Sequence, residues 1–207
     1  MECRNYFNRV APRWDKLRES FFSTAVREKA ISMADMRPGQ LAADIGCGTG
    51  FITEGLIQRG LKVIAVDGSR DMLSEMRQKF AAVNQIDYRL GVAGSLPIQE
   101  GTVDYAFANM YLHHVESPPE AIKEIARALK PGGKLIITDL DCHNFEFLKW
   151  EHNDRWMGFK RDDIRRWFEE AGLSDVIVDC VGENCCAASS CGKENAVIGI
   201  FAAFGRR

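Results

Sequence analysis

At 207 residues, with 46% apolar and 27% charged side chains, the chain has the makeup of one ordinary globular domain with room for a sizeable core. A formal net charge of −2 excludes a global basic field for nucleic acid. No apolar run approaches the roughly 20 residues of a membrane-spanning helix, and the N-terminus carries no secretory apolar region, so a cytoplasmic protein without a membrane span is expected.

The first stretch is aromatic, with Tyr6, Phe7 and Trp14. An amphipathic helix over 21–31 follows and ends before Pro38-Gly39. Residues 1–40 therefore read as an N-terminal helical lid, and 41–207 as the main domain. A strand over Leu41–Ile45 runs into the turn Gly46-Cys47-Gly48-Thr49-Gly50, and a helix then continues to about Gly60. A second strand, 61–67, ends in Asp67. Ser69 is placed to cap a helix whose apolar positions are Met72, Leu73, Met76 and Phe80. Strands are expected over Ile86–Leu90 and 103–108. Ser117-Pro118-Pro119-Glu120 reads as a capping-box start for a helix running to Lys130, stopped by Pro131-Gly132-Gly133.

A strand over 134–140 leads into a polar and aromatic segment, about 141–160, expected to be a helical cover. A helix over 162–171 ends at Gly172, and strands over 176–181 and 197–204 close the chain. Alternating strands and helices predict an α/β, Rossmann-like doubly wound sheet with its ligand at the C-terminal strand ends.

The glycine turn matters most. Glycine lacks a Cβ and accepts positive φ, so Gly46, Gly48 and Gly50 can bend the backbone beneath a ligand. Asp67 follows about twenty residues later, where a nucleotide-binding βαβ unit holds its ribose acid. Asp44 directly before the turn would repel pyrophosphate but suits a cationic amino-acid group. This disfavours a nicotinamide dinucleotide.

Asp44-Ile45-Gly46-Cys47-Gly48-Thr49-Gly50 resembles the first motif of class I S-adenosylmethionine (SAM) methyltransferases. Val66 to Leu73 resembles the second motif, Leu112-His113-His114-Val115 the histidine pair after the fourth strand, and Leu129 to Leu135 the turn entering the fifth. The ubiquinone- and menaquinone-biosynthesis (type 11) branch is the most similar. The resemblance implies a seven-stranded sheet, mostly parallel with the last strand antiparallel, and SAM as cofactor. It implies Asp44, Gly46, Cys47, Gly48, Gly50 and Asn109 at the methionine end, Asp67 and Gly68 at the ribose, and Met72 on adenine. One departure stands out: Val92 occupies the place of an acid that bonds the adenine amino group, leaving adenine to the backbone of Val92 and Ala93 and to Met72.

Methyl transfer needs alignment and exclusion of water more than side-chain chemistry. His113 and His114 are the candidate bases. Tyr6 and Trp14, with Phe7, are candidate lid residues against a sulfonium. His143 and Trp156 in the cover, and Cys185 and Cys186 near the C-terminus, are candidate substrate contacts. No metal ligands are assigned, because the separation of His143 from His152 is not a short helical ligand spacing. Four of the seven cysteines crowd near the C-terminus, Cys180 on the expected sixth strand and Cys185, Cys186 and Cys191 in a loop expected between the last two strands. The expected function is SAM-dependent methylation of a small-molecule acceptor. The alternatives are methylation of arsenite or another thiophile through the cysteine loop, and a non-catalytic SAM-binding sensor.

Overall fold

The computed structural model describes residues 2–207, with side chains from Asn5 onward. Seven strands form one sheet: β1 Leu41–Ile45, β2 Lys62–Asp67, β3 Ile86–Leu90, β4 Val103–Asn109, β5 Leu129–Leu140, β6 Ser174–Ala188 and β7 Asn195–Arg206. Their order is β3-β2-β1-β4-β5-β7-β6. Neighbours from β3 through β5 pair in parallel, and β7 is antiparallel to both β5 and β6.

The central strands are apolar almost throughout because both faces are covered. Alternate residues feed two cores. Ala42, Ala65, Tyr105, Phe107 and Ile136 face one side, packed under α3 (Ala25–Ser32), α4 (Phe51–Gln58) and α5 (Arg70–Lys79). Ala43, Ile64, Ala106, Ala108 and Ile137 face the other, under α6 (Pro118–Ala128) and α8 (Arg161–Glu170). Among the described residues, no helix is long and apolar enough to cross a membrane.

Local expectations hold in most elements. Ser69 Oγ accepts from the Met72 amide at 3.0 Å and caps α5. The proline start of α6 stands, but Ser117 makes no side-chain cap. Pro118 and Pro119 occupy the first positions of that helix and have no N–H to donate. The same helix ends at Ala128, since Leu129 is already paired with Val103.

The largest correction concerns the last hairpin. β6 and β7 are each longer than the sequence pattern suggested, so Cys185 and Cys186 join Cys180 on a strand and, of the four, only Cys191 sits in the connecting turn. Strand alternation then sends adjacent residues to opposite faces. Cys185 is half-buried against the first core, and Cys186 is exposed.

The N-terminal segment is α1 (Glu2–Val10), a 3₁₀ turn and α2 (Trp14–Glu19). Tyr6, Val10 and Ala11 pack on Met72 of α5. Polar ties add to this: Ser69 Oγ donates to Asn8 Oδ1 at 2.6 Å, and Lys79 pairs with Asp15 at 3.0 Å.

The cover segment is mostly irregular, with one short helix, α7 (Phe147–Glu151). It returns to the sheet where Phe159 bridges Asp141. Gly158 makes that return possible. Its φ is +64°, and a Cβ there would collide with the Asp141 carbonyl and stand 2.8 Å from that of Leu140. Gly158→Ala is therefore expected to destabilise the protein by about 1–3 kcal/mol, read as a lower midpoint in urea denaturation.

Candidate functional site

At the C-terminal ends of β1, β2 and β4 lies a cavity of about 510 Å³. Gly46, Cys47, Gly48, Asp67, Gly68, Met72, Val92, Ala93 and Asn109 all line it, as do Phe7 and Trp14 from the N-terminal segment. Gly46 and Gly48 have φ of +68° and +52°. A Cβ on Gly46 would collide with the Tyr111 ring, and one on Gly48 would stand 3.4 Å from the Trp14 indole nitrogen. The turn is thus a bare-backbone floor beneath two aromatic side chains.

Asp67 is the polar centre of this floor. Its carboxylate accepts from the Gly48 amide at 2.8 Å and the Ser69 amide at 2.7 Å. Burial pushes its pKa up, against the pull of the backbone N–H groups of Ser69, Gly48 and Gly68. Burial likewise holds the Cys47 thiol neutral. Asn109 accepts from Thr138 Oγ1 at 2.7 Å.

Two expected contacts take other places. Asp44 is not on the cavity wall; its Oδ2 accepts from the Thr53 amide at 3.0 Å and the Thr53 hydroxyl at 2.6 Å, tying the end of β1 to the first turn of α4. Burial pushes its pKa up to about 7. Gly50 is also off the wall. It is the left-handed N-cap of α4, with Phe80 and Met76 packed where a Cβ would be.

A second, smaller cavity of about 60 Å³ adjoins the first. The two share Phe7, Trp14, Phe22, Met110 and His114. Tyr6, His113, His152, Asp154 and Cys185 line the smaller one, with Phe21, Leu140, Leu148 and Ala187 as apolar wall. The histidine pair is therefore split: His114 faces both cavities and His113 only the second.

His113 Nδ1 lies 2.6 Å from Asp139 Oδ1. Asp139 also accepts from the amides of Tyr111, Leu112 and Leu140. Burial alone would lower the pKa of His113, but Asp139 and Asp154 together raise it to about 9. His114 is held neutral by burial and by the adjacent His113 charge. Its Nδ1 lies 3.2 Å from the Asn153 carbonyl. Burial pushes Asp154 up to about 6.

The remaining substrate candidates divide. Tyr6, Trp14 and Cys185 reach the cavities. Trp156 does not; its indole N–H donates to the Val115 carbonyl at 2.9 Å and its ring is 41% exposed. His143 lines neither cavity; it is buried, accepts from the Phe145 amide, and keeps Nε2 without a partner. Cys186 points outward, its amide donating to the Phe21 carbonyl at 2.8 Å. Cys185 and Cys186 thus cannot close on one thiophile from adjacent strand positions. Burial also pushes the Cys185 thiol up to about 12.

Sequence reasoning missed Arg18, Tyr111, Asp139 and Asp154. Asp139 was accessible in principle, since it lies near the C-terminal end of a central strand as Asp67 does. Nothing in the pattern marks Asp154 or Arg18.

Residues 43–137 match the family model described as "Methyltransferase domain". The chain matches the class I methyltransferase fold of the type 11 family over these residues. It is similar to the biotin biosynthesis bifunctional protein BioHC of Cellvibrio japonicus, 33% identical over 79% of this chain and 34% of that protein. It is also similar to the demethylmenaquinone methyltransferase of Bacillus cereus, 34% identical over 56% of this chain and 51% of the relative. The chain therefore spans between a third and a half of the length of these relatives. A chain in the complex between the Haloferax volcanii Trm112 methyltransferase activator and a methyltransferase superposes with a TM-score of 0.79 at 20% identity, covering 98% of this chain and 96% of that one.

In this methyltransferase domain the buried Asp44 has a measurable signature. Its folded pKa lies above the ordinary carboxylate value of 3.8, so the folded state holds the extra proton between about pH 4 and 7. Stability contributed there falls as pH rises through that window, by at most about 1.4 kcal/mol per pH unit. Asp44→Asn keeps an acceptor for Thr53 and removes the titration. The difference in unfolding free energy between wild type and variant should change with pH from 4 to 7 and level off above it, as read by urea denaturation.

Proposed function

We propose that the chain is an enzyme that transfers the methyl group of SAM to a small-molecule acceptor. The observation that carries this reading is the shared wall: a glycine floor with Asp67 lies in one cavity, and His114 lies in the wall between that cavity and a second, mostly apolar one. The donor set fits the cofactor. Asp67 has lone pairs left for two ribose hydroxyls, Gly46 and Gly48 let a ligand lie on backbone, and Met72, Val92 and Ala93 offer an apolar seat for adenine. When bound, SAM supplies an electrophilic methyl group on a sulfonium sulfur.

The chain's residues do the rest. Phe7 and Trp14, perpendicular at 5.4 Å, present aromatic surface toward a cation and keep water out. With the cover, α1 and α2 act as the lid; the rest of the expected lid does not, because α3 packs in the core beneath the sheet. His114, neutral and facing both cavities, is the group positioned to receive a proton from the acceptor or to orient it.

Arg18 completes the cofactor seat. It lines the larger cavity, is mostly buried, stacks over Phe51 at 4.4 Å, and keeps Nε without a hydrogen-bond partner. A buried guanidinium on the wall of this cavity is matched by the carboxylate of the methionine moiety.

Titration calorimetry tests the reading. Both SAM and S-adenosylhomocysteine are expected to bind at one site, and Asp67→Ala to weaken both at least tenfold. Binding of NAD without either ligand would refute it. Arg18→Ala is expected to weaken SAM about tenfold to a hundredfold, the worth of a charged hydrogen bond, with little effect on decarboxylated SAM. Equal losses for both compounds would remove the carboxylate role.

A further inference from the structure

We propose that His113, His114 and Asp154 form an open zinc site in the wall of the smaller cavity, and that the ion binds the sulfur of a small apolar thiol. The metal site stands on its own geometry; methylation of the thiol rests on the function proposed above.

A ring nitrogen of each histidine and a carboxylate oxygen of Asp154 lie within 4.8 Å of one another. His113 Nε2 and His114 Nδ1 stand 3.8 and 3.9 Å from the same Asp154 oxygen. Those separations are too long for hydrogen bonds, and among the described residues nothing donates a hydrogen bond to this carboxylate. Zinc bonds of about 2.0–2.2 Å reach donor atoms roughly 3.4 Å apart at the tetrahedral angle. The two histidine–carboxylate pairs therefore need about half an ångström of movement, and no pair of the three needs more than about 1.4 Å, to close the set on one ion.

The surroundings of His113 are those of a ligating histidine, while His114 gives up its Nδ1 contact with the Asn153 carbonyl and carries its proton on Nε2 when it binds the ion. His113 is anchored through Nδ1 by the buried Asp139, which leaves Nε2 toward Asp154. Ligation at Nε2 replaces the proton there while Asp139 keeps its own hydrogen bond. Asp139 is in turn fixed by three backbone amides. The three candidate ligands have side chains only 7%, 13% and 5% exposed. They come from two separate elements, the 3₁₀ turn after β4 and the cover. Three protein ligands with one side open to a cavity is the arrangement of a catalytic rather than a structural zinc.

The cavity selects the fourth ligand. Phe21, Phe22, Leu140 and Leu148 leave room for a small apolar body, not for a hydrated one. A thiol that coordinates zinc loses its proton, here to solvent, so that His114 acts by holding the ion that orients the acceptor and not as the base. Its sulfur then forms a bond to the methyl carbon as the carbon–sulfonium bond breaks, the electron pair going to the cofactor's sulfur. Both products are neutral thioethers, which are weaker zinc ligands than the thiolate.

The test is titration of the full chain with cobalt(II), followed by ethanethiol. One ion per chain is expected, with the visible absorption of a tetrahedral site. His114→Gln and Asp154→Asn are each expected to weaken uptake at least tenfold, and Cys186→Ser to leave it unchanged. Asp154→Asn should retain SAM binding, which shows that it folds. Ethanethiol is expected to bring up a sulfur-to-cobalt charge-transfer band in the near ultraviolet.

Absence of stoichiometric uptake, or uptake unchanged in both variants, overturns the site. A charge-transfer band present before thiol and lost in Cys185→Ser overturns the open position, because Cys185 would then fill it. SAM binding without cobalt uptake sinks this proposal alone. Cobalt uptake without SAM binding sinks the function proposed above and leaves the metal site.

Discussion

The hydrogen bond from the Gly48 amide to Asp67 holds the site together. It joins the turn after β1 to the tip of β2 at 2.8 Å. A carboxylate taken out of water needs donors, and the backbone N–H groups of a turn are the donors that cost no side-chain entropy. The turn in turn keeps the left-handed conformations at Gly46 and Gly48 that let Tyr111 and Trp14 come close. Floor and carboxylate are thus one unit.

The same device recurs twice along the sheet. Asp44 at the end of β1 takes the Thr53 amide and starts α4. Asp139 near the end of β5 takes the amides of Tyr111 and Leu112 and shapes the turn that carries the histidine pair. Each aspartate converts an irregular connection into a fixed one at the ligand end of a parallel sheet. The three differ in what they leave over. Asp44 is spent on the helix and Asp67 still faces the cavity, while Asp139 governs His113.

Two segments outside the sheet meet above the second cavity. Tyr6 of the N-terminal helix lies 3.2 Å, hydroxyl to Nδ1, from His152 of the cover. Phe21 stacks edge-on against the same histidine at 5.1 Å, and its carbonyl takes the Cys186 amide of β6. The wall of the second cavity is therefore built from the start, the middle and the end of the chain.

The sequence by itself determined the parallel strands, the glycine turn and the aspartate at the tip of β2. These depend on local pattern: apolar runs that read as strands buried on both faces, φ > 0 positions open to glycine, and an acid at a fixed distance along one βαβ unit. It also pointed to Met72, His114, Trp14 and Cys185 as cavity residues. It misplaced Asp44, Gly50, Trp156, His143 and Cys186, whose side chains turn toward packing partners or solvent that no local pattern names. It was silent on Arg18, Asp139 and Asp154. Only the tertiary structure decided those, because a buried charge takes its role from the groups that desolvate and pair with it, and these come from 26 residues away for Asp139 and His113. The hairpin of β6 and β7 makes the same point: a cysteine-rich stretch reads as a loop until strand pairing assigns its alternate residues to opposite faces.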